Sequence, residues 1–141
     1  MSGRTFVDTN VLVYAVDEAE PAKRDIAENV LTSGQYGELV LSTQILSEFY
    51  VTVTRKLAGR LSEAEAVQGL DRLGLHPIVP VDTVLVRRAV EISRSSQISY
   101  WDGLVVAAAA CAGCERLLTE DLNDGQEIDS VRVENPFRDV A

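Results

Sequence analysis

Short unbroken runs of apolar residues alternate along this chain with longer stretches where apolar positions return every three or four residues. The runs predict buried strands and the stretches predict amphipathic helices. Thr5 to Asp8 reads as a β-branched strand, and Pro21 opens a helix to about Ser33, with Gly34 behind it. Glu38 to Leu41 is a second strand. Ser42 or Thr43 caps a helix that runs to Ala58 and stops at Gly59. Ser62-Glu63-Ala64-Glu65 is a capping box for a helix ending near Gly74. His76 to Val81 is an apolar strand interrupted by Pro77 and Pro80. Asp82 caps a helix to about Ser96, and Ser99 caps another from Tyr100 to Ala112. Arg116 to Thr119 and Val131 to Val133 close the series. Strands alternating with helices predict an α/β sandwich around a mostly parallel sheet. Such sheets bind ligands at the carboxyl ends of their strands.

Four acids interrupt this apolar pattern. Asp8 stands in "FVDTNVL", Glu48 in "QILSEFYV", Asp102 in "SYWDGLVVAAA" and Asp121 in "LLTEDLND". Others among the 22 acids, such as Asp17, Glu18 and Glu63, have polar neighbours and read as surface residues. Each of the four has a local explanation. Asp8 can bond turn amides, Glu48 can pair with Arg55, Asp102 can serve as a helix N-terminal charge and Asp121 can shape a loop. Their joint placement favours function. Asp8 ends the first strand, Asp121 follows the strand ending at Thr119, and Glu48 shares a helical face with Ile45 and Thr52. Two carboxylates about 5 Å apart repel by roughly 3 kcal/mol at an effective dielectric of 20. Four together cost about 10–20 kcal/mol, as much as a whole domain's stability. Such a cluster must take up protons or bind cations. Oxygen ligands without His or Cys favour Mg²⁺ or Mn²⁺ over zinc, and such an ion suits phosphoryl chemistry.

Composition narrows the alternatives. The chain has 141 residues, enough for one domain with a real core, and the expected domain spans 1–141. Its net charge of −9 argues against a generic nucleic-acid coat but not against a nuclease with a local acidic site. The basic pairs Lys23-Arg24, Arg55-Lys56 and Arg87-Arg88 read first as solvated helix faces. Leu104 to Ala112, the longest apolar stretch, is too short to cross a bilayer. Met1-Ser2-Gly3-Arg4 leads straight into a strand, which makes the cytoplasm the expected location. Cys111 and Cys114 form a CxxC, but His76 is the sole histidine, so a zinc site lacks ligands and two packed thiols are expected. No phosphate-binding loop, dinucleotide fingerprint or nucleophile elbow occurs.

"FVDTNVLVYAVD", "ILSEFY", "YWDGLVVAAA" and "LLTEDLNDG" resemble, in order and spacing, the motifs of PIN-domain ribonucleases over nearly the whole chain. A small PIN domain is most similar to the VapC-type toxins of toxin–antitoxin pairs. The resemblance implies a PIN-like three-layer α/β/α sandwich and Mg²⁺- or Mn²⁺-dependent cleavage of RNA. It implies Asp8, Glu48, Asp102 and Asp121 as catalytic metal ligands, with Thr9, Asn10 and Thr119 supporting them and Asp124 as an accessory ligand. It also implies a homodimer and a VapB-type antitoxin. An acidic cleft attracts Arg or Lys from such a partner. Arg55, Lys56 and Arg60 are expected to form a phosphate track, and Tyr100 and Trp101 to stack on an unpaired base. An aromatic plug in the core is the alternative for Trp101. Two other functions stay open: a PIN-type nuclease for RNA processing or DNA, and a non-catalytic module whose acidic cleft binds a basic partner.

Overall fold

The computed structural model describes residues 3–140. Residues 1, 2 and 141 of the expected domain, and with them the Met1-Ser2 start, lie outside the described residues. The elements are β1 (Arg4–Val7), α1 (Thr9–Tyr14), α2 (Pro21–Thr32), β2 (Glu38–Ser42), α3 (Thr43–Val51), α4 (Glu63–Leu73), β3 (Ile78–Val79), α5 (Thr83–Ser96), α6 (Tyr100–Cys111), β4 (Arg116–Leu118), β5 (Glu127–Ile128) and β6 (Val131–Glu134).

Local chemistry sets the helix starts. The hydroxyls of Ser42, Ser62 and Ser99 accept amide hydrogen bonds from the first turns of α3, α4 and α6. The Asp82 carboxylate does the same for α5. Ser62 and Glu65 form the full capping box that their spacing predicts. Three elements depart from expectation. Val11–Val13 carried no predicted element, yet Asp8 caps them into α1 by accepting from the Thr9 amide. His76–Val81 shrinks to the two-residue β3 between Pro77 and Pro80, neither of which has an N–H to donate. The helix expected to reach Ala58 leaves α-geometry at Val51 and continues as one π-helical turn, Thr52–Lys56, closed by the Leu57 amide on the Thr52 carbonyl at 3.0 Å.

The strand order is β3-β2-β1-β4-β6-β5, parallel except for the β5–β6 pair. Helices α1 to α4 pack in sequence-near pairs, and α5 packs along α6, giving a three-layer α/β/α sandwich. Phe6, Val7, Val40, Leu41, Leu117 and Leu118 are buried, as expected for central parallel strands covered on both faces. Helix α6 is apolar on nearly every side because it lies against β2, β4, β6 and α5 at once. The chain runs outward from β1 through β2 to β3, then returns to place β4 on the other side of β1. The carboxyl ends of β1 and β4 therefore flank a topological switch point, where open α/β sheets leave a crevice.

No helix among the described residues is long and apolar enough to cross a membrane. The two cysteines are both free but do not pack together as expected: Cys114 is buried and Cys111 is exposed at the end of α6.

Candidate active site

Asp8 is the first residue past β1, and its amide donates to the Leu118 carbonyl at 3.0 Å. This ladder bond sets Asp8 beside Thr119, which leaves β4. Thr119 Oγ1 donates to Asp8 Oδ2 at 2.7 Å, and the Thr9 amide donates to Asp8 Oδ1 at 2.8 Å. Thr119 Oγ1 also accepts from the Asp121 amide at 3.1 Å and from Asn10 Nδ2 at 3.3 Å. One fully buried hydroxyl thus ties three candidate residues together. Asn10 Nδ2 also donates to Asp121 Oδ2 at 3.1 Å. Across the crevice, Thr9 Oγ1 donates to Glu48 Oε1 at 2.7 Å and Gln44 Nε2 donates to Glu48 Oε2 at 3.3 Å. Glu48 is therefore not paired with Arg55. Asp102 lies in the first turn of α6, with its amide on Ser99 Oγ.

The electrostatics link all four acids. Burial pushes the Asp8 carboxyl up to about 7, against hydrogen bonds from Thr119 and Thr9 that pull it down, and the charges of Asp121 and Glu48 raise it further. Asp102 is shifted upward by burial, again with Asp121 and Glu48 adding to the rise. The charges of Asp121 and Glu48 thus reach both Asp8 and Asp102, acids that come from separate segments of the chain. No group of three carboxylates among the described residues stands close enough to grip a metal ion as it is. The donor set is all oxygen. It includes Asn10 Oδ1, which is buried and has no hydrogen-bond partner. Asn10 is held in this orientation because its amide nitrogen faces the Asp121 carboxylate. The residues present therefore fit a hard divalent cation.

A cleft of about 650 Å³, walled by Thr9, Asn10, Tyr14, Glu48, Lys56 and Asp121 among others, exposes two of the four acids; Asp8 and Asp102 are not on its wall. Asp17 lines it too and is buried, contrary to its polar sequence context. No sequence signal marks Asp17, which lies beyond the end of α1 among polar neighbours. Glu120 was not singled out either. It accepts from Tyr14 Oη at 2.6 Å and pairs with Lys23 Nζ at 3.1 Å, so Lys23 is no solvated surface charge.

Other expected residues fall elsewhere. Asp124 does not join the acids; its Oδ1 accepts from the Asn135 amide at 2.8 Å, and it faces a separate small cavity. Of the expected phosphate track, Lys56 reaches the acidic cleft, whereas Arg55 and Arg60 line a different depression with Glu63. Trp101 is 62% exposed and is no core plug; it meets Tyr100 edge-on at 5.0 Å.

The sequence profile of the PIN domain family matches residues 5–127. No curated protein matches the chain. Among solved structures, the chain is similar to a complex of FitAB bound to an IR36 DNA fragment, with a TM-score of 0.69, 20% identity, and coverage of 95% of this chain and 96% of that one. VapBC2 of Rickettsia felis bound to a promoter DNA fragment gives 0.64 at 16% identity, covering 94% and 98%. The sarcin-ricin loop-cleaving toxin VapC20 of Mycobacterium tuberculosis gives 0.63 at 20% identity, covering 80% and 86%. With the profile matching residues 5–127 of 141, from within β1 to the start of β5, this chain belongs to the PIN domain family.

Proposed function

We propose that this chain is a Mg²⁺- or Mn²⁺-dependent endoribonuclease, one PIN domain over residues 1–141, acting in the cytoplasm as the toxin of a type II toxin–antitoxin pair. The observation that carries the reading is that the charges of Glu48 and Asp121 both reach Asp8, at the switch point between β1 and β4, and Asp102. The similar structures support the biological role: one is a sarcin-ricin loop-cleaving toxin, one a toxin–antitoxin complex and one a DNA-bound VapBC. A VapB-type antitoxin and a homodimer belong to the same reading.

The four acids would hold the cation. When bound, it supplies a lowered water pKa and charge neutralisation at the scissile phosphate. Thr119 and Thr9 hold Asp8 and Glu48 by hydrogen bonds that leave their charge intact. Asn10 orients Asp121. Lys56, on the cleft wall, offers the phosphate backbone a counter-charge.

The test is cleavage of single-stranded and structured RNA by purified protein, with and without Mg²⁺ or Mn²⁺. Cleavage that needs the cation and disappears in both Asp8→Asn and Asp102→Asn is the expected result. Cleavage that survives in either variant refutes the assignment. Cleavage of DNA alone would shift the substrate class. Cation binding without any cleavage would favour a non-catalytic module for a basic partner.

A further inference from the structure

Asp121 lies on the cleft wall, exposed, in irregular chain beyond the end of β4. Two groups hold it directly. Asn10 Nδ2 donates to its Oδ2 at 3.1 Å, and its amide donates to Thr119 Oγ1 at 3.1 Å. The residue before it is gripped from other elements. Tyr14 Oη, on α1, donates to Glu120 Oε1 at 2.6 Å, and Lys23 Nζ, on α2, donates to Glu120 Oε2 at 3.1 Å. Lys23 Nζ also donates to Tyr14 Oη at 3.2 Å and lies over the rings of Tyr14 and Phe137, 4.7 and 5.7 Å from their centroids. Phe137 in turn packs edge-on against Tyr14 at 4.9 Å. The Lys23 and Glu120 side chains are 20% and 24% exposed, the least of the ion pairs among the described residues. A pair so far withdrawn from water is screened less than a surface pair.

We propose that Tyr14 and Lys23 are positioning residues: by clamping Glu120 they hold the next residue, Asp121, where the site's cation binds. The proposal rests on the metal site of the nuclease reading above and deepens it by naming what orders one ligand. The Glu120–Asp121 peptide is pinned from both sides, by the clamp on the Glu120 carboxylate and by Thr119 on the Asp121 amide. A freed Glu120 would let that peptide turn, and the Asp121 carboxylate would lose its aim. Groups that orient a metal ligand without touching the metal are typically worth about 10–100-fold in metal affinity. Charge alone predicts the opposite sign. Lys23 is a cation beside an acidic site, so its removal should by itself draw a divalent cation in more strongly.

The experiment measures the Mn²⁺ dissociation constant of the intact, metal-stripped protein by calorimetry, with folding checked by thermal melting. It compares wild type with Lys23→Met, Lys23→Arg and Tyr14→Phe, the last of which keeps the ring and removes only the hydroxyl. Ile128→Val is the control: it removes a buried methylene from β5, at the edge of the sheet, and so loosens the core away from the site. Lys23→Met and Tyr14→Phe should each bind Mn²⁺ about tenfold more weakly. Lys23→Arg should stay within about threefold of wild type, and Ile128→Val within about twofold. Unchanged or tighter binding by either folded variant, or an equal loss in Ile128→Val, overturns the clamp. It leaves the nuclease standing where the wild type binds Mn²⁺ and cleaves RNA. Weaker binding by the variants of a protein that cleaves no RNA keeps the clamp and removes the nuclease. A wild type that binds no Mn²⁺ removes both.

Discussion

Replacing Asp8 with asparagine should stabilise the metal-free protein at pH 8 and destabilise it at pH 4. The native carboxyl titrates near 7 and the unfolded one near 3.8. Between those values the native state holds the extra proton, so unfolding free energy falls as pH rises. The full window is worth about 4 kcal/mol at 1.36 kcal/mol per pH unit. Stability from this group is complete below pH 3.8 and gone above about 7. Asparagine does not titrate, but it loses one contact. Its amide nitrogen would meet Thr119 Oγ1, which already accepts from Asn10 and the Asp121 amide. That loss costs about 1 kcal/mol. At pH 8 the variant should therefore be more stable by about 3 kcal/mol, roughly 10 °C in melting temperature for a domain of this size. The two profiles should cross near pH 5 by the same arithmetic, within about a pH unit. The assay is denaturant and thermal unfolding in EDTA at half-unit steps from pH 4 to 8.5. Adding Mn²⁺ at pH 8 should then raise the wild type and leave the variant nearly unmoved. Parallel pH profiles for the two proteins would falsify the burial argument.

Gly103→Ala should destabilise by about 2–3 kcal/mol in urea unfolding, because a Cβ there would meet the Ala89 carbonyl oxygen at 2.7 Å, where α6 crosses α5. Lys23→Met should cost about 1–2 kcal/mol by the same measurement, since it leaves Glu120, next to Asp121, with Tyr14 alone. Its RNA cleavage should also fall, with Lys23→Arg restoring part of both losses. In the native protein a thiol-exchange reagent should modify Cys111 quickly. Cys114, buried and pushed up to about 11, should react only on unfolding, which a time-resolved thiol titration would resolve into two phases.

Asp8 is legible in the sequence because it ends an apolar run at a buried position, where a carboxylate is too costly to be accidental; Glu48 and Asp102 are half-buried and Asp121 is exposed, and these are legible through the order and spacing of their motifs. The capped helices are legible for a related reason: Ser42, Ser62, Asp82 and Ser99 act on amides within three residues, so the information is local. What escapes is set by tertiary contact. Glu120 and Lys23 look like surface charges until α2 is laid beside the end of β4. Asp17 looks solvated until the cleft closes over it. Asp124, three residues beyond Asp121, suggests a shared face only if a helix continues there. Instead the segment turns, and Asp124 caps the Asn135 amide. Arg55 and Lys56 part because adjacent residues on a helical turn face different sides, so a basic pair in sequence need not be one track in space.

The partners of the four acids explain why a cation belongs in the reading. The ion pairs among the described residues join Arg4 to Glu38, Lys23 to Glu120 and Arg88 to Asp129, and none touches the quartet. Asp8, Glu48 and Asp121 are held by hydroxyl and amide groups. A guanidinium would orient a carboxylate equally well and cancel its charge; a hydroxyl orients it and leaves the charge in place. The cleft thus keeps a negative field that the net charge of −9 reinforces. Such a field repels RNA, with Lys56 the basic residue on the cleft wall. It attracts divalent cations and the Arg or Lys of an antitoxin alike. In the proposed role, cation and antitoxin would compete for one patch of charge, and RNA would gain access only when the cation wins. Binding of a basic antitoxin should accordingly weaken as Mg²⁺ rises, more steeply than with Na⁺ at equal ionic strength, and Asp102→Asn should flatten that difference. Identical titration curves in the two salts would mean that the patch is screened as a whole and that no ion occupies it.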